Sequence, residues 1–196
     1  VVGDARVRRP ADVGEMGETA DRYDETWVLY DRMLVDDELW ALWALFPAKS
    51  RIVILSDSCH SGTVSKAPLA PGGSAVRRSA VASRRMPMDV EERTYAAHKR
   101  TYDRIQRSVP TRAASDVKAT IALISGCQDN QESLDGRVNG LFTEKLLKTW
   151  DDGAFTGSVK RLRDVVSKSM PATQTPNYYV VGPANRSFLS SRALSI

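Results

Sequence analysis

The sequence predicts an α/β protein whose mainly parallel sheet is covered by helices on both faces, a three-layer α/β/α sandwich. Residues 51–56 and 120–125 are short, continuous apolar runs rich in β-branched side chains. This pattern is typical of strands that are buried on both faces of a parallel sheet. Residues 177–181, Asn-Tyr-Tyr-Val-Val, predict a closing strand. Helical periodicity between these strands completes the alternation that favours this class.

Helices are predicted over residues 36–46, 140–150 and 157–169, where apolar side chains recur at helical spacing. These side chains are Leu39, Leu42, Trp43 and Phe46 in the first helix, Leu141, Phe142, Leu146, Leu147 and Trp150 in the second, and Val159, Leu162, Val165 and Val166 in the third. Pro47 ends the first helix. A polar, charged helix is predicted from Val90 to Val109.

Length and composition favour one folded domain over residues 1–196. The chain is 42% hydrophobic and 27% charged, which is enough to form a core. It contains no apolar run long enough to span a bilayer and no apolar stretch near the N-terminus. We therefore expect a soluble, cytoplasmic protein without a membrane partner. Its two cysteines, Cys59 and Cys127, are too few for a disulfide framework or a four-thiolate metal site.

Charge is distributed unevenly along the chain. Residues 1–50 carry a net charge of −5, residues 51–120 carry +7 and residues 121–196 carry +2. A nucleic-acid-binding domain is one rival hypothesis for the basic middle. Residues 51–120 contain only two aromatic side chains, Tyr95 and Tyr102, so base stacking has little support.

Residues 63–112 interrupt the regular alternation. Residues 63–90 are rich in Pro, Gly, Ser and Ala and predict a long loop, which the polar helix follows. Loops of this length within a domain are usually functional or disordered. The loop contains two arginine pairs, Arg77-Arg78 and Arg84-Arg85.

A candidate reactive site follows the strand 51–56. The next residues, Asp57-Ser58-Cys59-His60-Ser61-Gly62, lie past the carboxyl end of a predicted parallel strand, where open α/β sheets bind ligands. A buried, inert cysteine is the alternative interpretation of Cys59. The polar and small neighbours favour a reactive thiol, because core cysteines usually have apolar neighbours.

Three segments in order resemble a known family. Residues 56–62 read Ser-Asp-Ser-Cys-His-Ser-Gly, and residues 23–31 (Tyr-Asp-Glu-Thr-Trp-Val-Leu-Tyr-Asp) precede them, followed by 35–39 (Val-Asp-Asp-Glu-Leu). The third segment is 124–133, Ile-Ser-Gly-Cys-Gln-Asp-Asn-Gln-Glu-Ser, with Gly-Leu-Phe-Thr at 140–143. Together they resemble metacaspases and bacterial caspase-like peptidases, also called orthocaspases.

The resemblance implies a caspase-like fold and a cysteine endopeptidase. Cys59 is then the nucleophile, and Asp57 lies in the primary specificity pocket, where a carboxylate favours protein or peptide substrates with Arg or Lys before the cut. Asp129 lies near the substrate cleft, and Cys127 is a second, non-catalytic thiol. A turn or helix cap is the alternative for Asp57, and a plain turn is the alternative for Asp129.

The resemblance also implies a regulatory calcium ion bound by Asp24, Asp36 and Asp37. Carboxylate oxygens are the ligands that calcium prefers. The alternative is that Asp36 and Asp37 only cap the following helix. A fourth acid is usual in the family at the position of Lys66, and this departure weakens the expected site.

The catalytic histidine of the family is expected about 50 residues before the cysteine. The sequence there, Arg8-Arg9-Pro10, contains none. His60 adjoins Cys59 too closely to act as its base, and His98 lies on the polar helix. We therefore expect either an N-terminally incomplete caspase-like domain that associates with a missing N-terminal segment, or a catalytically inactive interaction or calcium-responsive module.

Overall fold

The computed structural model describes residues 3–8, 10, 23–57, 86–109, 116–127 and 140–195. In chain order the elements are β1 (Gly3–Arg8), β2 (Tyr23–Val28), β3 (Met33–Val35), α1 (Asp36–Ala44), β4 (Arg51–Ser56), α2 (Met88–Ser108), β5 (Thr120–Ser125), α3 (Leu141–Trp150), α4 (Val159–Lys168), β6 (Asn177–Val181) and α5 (Arg186–Ser190). Predictions for Cys59, His60, Lys66, Asp129 and the two arginine pairs lie outside these residues. Across the described chain, no helix is both long and apolar enough to cross a membrane.

The strands form two three-stranded sheets with orders β1-β2-β3 and β4-β5-β6. The first sheet, here called the hairpin sheet, is antiparallel throughout, with Val7 opposite Asp24. In the second sheet β4 and β5 are parallel, and β6 pairs antiparallel to β5. The predicted α/β class is confirmed, and the described strands make a mixed sheet in which only the β4–β5 ladder is parallel.

Helices cover both faces of the second sheet, which confirms the three layers. Successive residues of β5 point to opposite faces, so Ile121 and Leu123 pack with α1 while Ala122 and Ile124 pack with α3 and α4. All six residues of β5 are buried, as the continuous apolar run predicts. This strand is therefore the centre of the core.

Strand β4 is less buried than the sequence predicts. Its only buried residue is Ser56, and Leu55 is exposed. Among the described strands β4 pairs on one side only, with β5. An apolar run alone does not distinguish such an edge strand from a central one.

Helix α1 lies between the hairpin sheet and the second sheet. It buries Leu39 and Trp43 as predicted, together with Trp40, which is fully buried. The prediction is wrong for Leu42 and Phe46, which are 48% and 44% exposed. Phe46 lies beyond the end of the helix at Ala44, so it no longer follows the helical periodicity. Leu42 lies beside the buried face of the helix, which consists of Asp36, Leu39, Trp40 and Trp43.

Helix α2 covers the other face of the hairpin sheet. Tyr102 packs against Ala5, Val7, Met33 and Val35, and its hydroxyl accepts a hydrogen bond from the backbone N–H of Met33 at 3.1 Å. The polar helix predicted at 90–109 is thus confirmed as Met88–Ser108. The hairpin strand β1 was not predicted, although Ala5 and Val7, two residues apart, are both buried.

Candidate functional site

The carboxyl ends of β4 and β5 lie side by side because the two strands are parallel and in register, with Ser56 opposite Ser125. The backbone N–H of Gly126 donates to the carbonyl of Ser56 at 2.7 Å, which extends the pairing by one residue. Asp57 follows Ser56 directly. Asp57 therefore lies at the carboxyl ends of the two strands, and Cys59 lies outside the described residues.

Asp57 is held by the start of helix α3. Its Oδ2 accepts two hydrogen bonds from Thr143, from the hydroxyl at 2.6 Å and from the backbone N–H at 3.2 Å. The residue at the N-cap position of α3 is Gly140, which has no side chain to offer. Asp57, the residue after β4, supplies the acceptor that an N-cap side chain normally provides. Asp57 therefore caps α3, and its expected place in the specificity pocket stays a prediction.

Gly126 makes room for Asp57. A Cβ atom at this glycine would lie 3.2 Å from Oδ1 of Asp57 and 3.1 Å from Cβ of Phe142. The carbonyl of Gly126 accepts from Nε2 of Gln174 at 3.0 Å. The carboxylate of Asp57 thus sits between a glycine and a helix N-terminus, where the helix dipole favours negative charge.

Cys127 follows Gly126 and is fully buried. The hydroxyl of Ser125, also fully buried, donates to the Cys127 carbonyl at 2.6 Å. This burial fits the expected second thiol packed beside the sheet. Asp129, two residues further and expected near the substrate cleft, lies outside the described residues.

A separate acidic cluster is formed by Asp24, Asp36 and Asp37. One carboxylate oxygen of each lies within 4.8 Å of the others. Asp24 lies on β2 and is 2% exposed, while Asp36 begins α1 and is 6% exposed. The three acids that the resemblance groups together are thus adjacent in the fold.

The start of α1 has its own capping interactions. The backbone N–H of Val35 donates to Oε2 of Glu38 at 3.1 Å, and Arg32 pairs with the same carboxylate at 2.7 Å. Oδ1 of Asp36 accepts from the backbone N–H of Asp37 at 2.9 Å. Asp36 therefore contributes to the helix terminus and to the acidic cluster at once.

The cluster has the chemistry of a hard-cation site. Asp24 shares the buried face of the hairpin sheet with Val7 and Thr26, and a carboxylate there is costly unless it is partnered. Three close carboxylates repel one another, and a cation removes that repulsion. Their hard oxygen ligands suit calcium rather than a metal that prefers nitrogen or sulfur.

Several residues of these sites were not predicted. The sequence shows Thr143 only as part of a segment that carries the family resemblance, and it gives no separate signal for Gly126 or Gln174. Gly140 at the start of the predicted helix 140–150 has no side-chain acceptor, so the sequence leaves room for an acceptor from another element. His98, the second histidine, is exposed on α2 with non-helical backbone angles (φ −117°).

The fold and the strand-end site define an α/β domain with a capped carboxylate at the carboxyl ends of two parallel strands. The family model for the caspase domain matches residues 12–186. The crystal structure of protein GSU0716 from Geobacter sulfurreducens is similar, with 38% identity and a TM-score of 0.81 over 98% of this chain and 68% of that chain. The chain belongs to the caspase-domain peptidase family. A comparison with curated proteins gave no significant match.

Proposed function

We propose that this domain is a cysteine endopeptidase that cleaves proteins or peptides after Arg or Lys, with Cys59 as the nucleophile. The observation that carries the proposal is the fixed carboxylate of Asp57, two residues before Cys59, at the carboxyl end of β4. A guanidinium or ammonium group of the substrate is a natural partner for this carboxylate. Family membership supports the peptidase class.

The chemistry is acyl transfer. The Cys59 thiolate attacks the peptide carbonyl carbon, the C–N bond breaks as the amine takes up a proton, and water then hydrolyses the thioester. Asp57 binds the side chain before the cut and so orients the carbonyl. The proton that the amine takes up is the one released by the Cys59 thiol, and neither His60 nor His98 occupies the sequence position at which the resemblance expects the histidine that carries it.

We propose calcium as the regulatory cofactor of the acidic cluster. Asp24, Asp36 and Asp37 would hold it, and the ion would neutralise their mutual repulsion. The cluster joins β2 to the start of α1, so calcium would stabilise the contact between the hairpin sheet and α1. This role is structural, and no catalytic step passes through the ion.

A second candidate is a calcium-responsive caspase-like module that does not cut. One observation favours it: the acidic cluster is assembled, whereas the sequence has no histidine at the expected catalytic position. This candidate predicts calcium binding without peptide hydrolysis. A nucleic-acid function is disfavoured because Tyr102 is buried and unavailable for base stacking.

The test is hydrolysis of a fluorogenic peptide with Arg before the leaving group, with and without calcium. A peptide with Asp at that position is the substrate control. Cys59→Ala tests the nucleophile, and Cys127→Ala is the matched control for loss of a thiol. Asp57→Asn keeps the size of the side chain while it removes the charge.

We expect hydrolysis of the Arg peptide only, lost in Cys59→Ala and retained in Cys127→Ala. Asp57→Asn should lower kcat/KM about a hundredfold, because loss of one partner of a desolvated ion pair costs about 2–5 kcal/mol. No hydrolysis by a folded, calcium-binding chain would favour the second candidate. Hydrolysis that survives Cys59→Ala would exclude this nucleophile.

A further inference from the structure

Gln106 on α2 lies against the acidic cluster. Its side-chain Nε2 donates to Oδ2 of Asp24 at 2.7 Å, across 82 positions in sequence. The residue is only 4% exposed. Its amide is therefore buried and directed at Asp24, although it belongs to a different element from the three acids.

The oxygen end of the same amide differs from the nitrogen end. Oε1 of Gln106 is buried and accepts no hydrogen bond from the described residues. An unsatisfied buried acceptor is destabilising, and buried polar atoms are nearly always partnered. An amide oxygen is also a calcium ligand, so the unsatisfied oxygen of Gln106 can serve as one when the amide turns it towards Asp24.

The two ends of an amide exchange places by a half-turn of the terminal torsion, for which both orientations are accessible. Without a cation, the N–H end must face Asp24, because two oxygens 2.7 Å apart would repel each other. With a cation bound to Asp24, the oxygen end is favoured instead. The amide nitrogen is then released from Asp24.

We propose that Gln106 is a switchable ligand of the acidic cluster: it donates to Asp24 when the cluster holds no metal, and it turns its Oε1 to the ion when calcium binds. This inference rests on the proposed calcium site. Gln106 adds a neutral oxygen to the three carboxylates, and it links the metal to the C-terminal half of α2. Calcium therefore fastens α2 as well as α1 to the hairpin sheet.

The test is isothermal titration with calcium chloride of the full chain carrying Cys59→Ala, which prevents self-cleavage. Gln106→Met keeps the length of the side chain but removes both polar ends. Gln106→Glu supplies a fourth carboxylate. Gln174→Met is the matched control, because Gln174 is also fully buried and donates to Gly126 rather than to the cluster.

We expect Gln106→Met to raise the calcium Kd about tenfold or more, Gln106→Glu to lower it, and Gln174→Met to leave it unchanged. The side-chain amide signal of Gln106 in nitrogen-15 NMR spectra should shift on saturation with calcium. Circular dichroism verifies that each variant is folded. If Gln106→Met is not folded, the Gln106→Glu Kd and the NMR signal decide.

Two results would overturn the inference, and they are distinguishable. Calcium binding to the parent chain with an equal or lower Kd in Gln106→Met, and an unmoved amide signal, would make Gln106 only a competing donor. The calcium proposal would then stand without it. A folded parent chain that binds no calcium would overturn both proposals together.

Discussion

Asp57 caps α3, and in the proposed function the same carboxylate also binds the substrate side chain before the cut. Its Oδ2 accepts hydrogen bonds from both Thr143 donors, and the contact with the hydroxyl is short at 2.6 Å. Capping fixes the rotamer of the carboxylate. A fixed carboxylate recognises a cation more favourably, since less conformational freedom is lost on binding.

Replacement of Thr143 separates capping from substrate recognition. Thr143→Val removes the hydroxyl donor and should lower the free energy of unfolding by about 1–2 kcal/mol, the range for lost caps. On the proposed function it should also raise KM for the Arg peptide more than it changes kcat. Thr143→Ser, which keeps the donor, should restore both values. An unchanged KM in Thr143→Val would leave Asp57 as a cap only.

Asp103 on α2 should make the stability of the fold depend on pH. Burial would raise its pKa, but hydrogen bonds from Lys99 and Tyr95 outweigh burial and lower the pKa below 3.8. The contribution to stability is therefore complete above about pH 3.8 and is lost as pH falls through the lower folded value. Asp103→Asn should reduce stability at pH 7, and its difference from the parent chain should narrow towards pH 3. Urea unfolding at both pH values measures this, and a constant difference would contradict it.

At the scale of elements, β6 ends in a turn that demands glycine. Gly182 has φ +74°, and a Cβ there would lie 2.1 Å from the carbonyl oxygen of Ala119. Gly153 also has positive φ (+92°), but its nearest contact would be 3.8 Å. The two glycines thus share a positive φ, which is unfavourable for other residues, and differ in the space available for a Cβ atom.

This contrast predicts unequal effects of the same substitution. Gly153→Ala should cost about 1–2 kcal/mol, the cost of a left-handed conformation for an L-residue. Gly182→Ala should cost more than about 3 kcal/mol, since backbone must also move. Chemical denaturation of both variants measures the difference. Equal losses would show that the β6 turn relaxes freely.

At the scale of the whole molecule, the segment between β4 and α2 joins two parts that are intertwined. The part before it contains β1 to β4, and the part after it contains α2 to α5. Helix α2 packs on the hairpin sheet, and β5 pairs with β4 along six residues. Cleavage in this segment would therefore leave the fold held together by packing.

Self-cleavage after Arg77, Arg78, Arg84 or Arg85 is the corresponding prediction, since these sites match the proposed specificity. Incubation should give two fragments on a denaturing gel that elute together in native gel filtration. Cys59→Ala should remain intact. Replacement of all four arginines by Gln is expected to block the cut, and cutting elsewhere would contradict the assignment. Fragments that separate under native conditions would contradict the packing argument.

The sequence by itself determined the elements with a strong local signal. The apolar run at 120–125, the periodicity of α3 and α4 and the Asn-Tyr-Tyr-Val-Val strand all predicted what is observed, because hydrophobic periodicity is a local property. The family resemblance grouped Asp24, Asp36 and Asp37, and their carboxylates are adjacent in the fold. The caspase domain match confirms the family.

Only the tertiary structure decided what depends on contacts between distant segments. The exposure of Leu42, the capping of α3 by Asp57 and the approach of Gln106 to Asp24 each join or separate elements far apart in sequence. Hydrophobic periodicity does not indicate which side of a strand remains unpaired or which helix lies over a carboxylate. Burial and hydrogen-bond pairing are properties of the packed chain, and they assign these residues their roles.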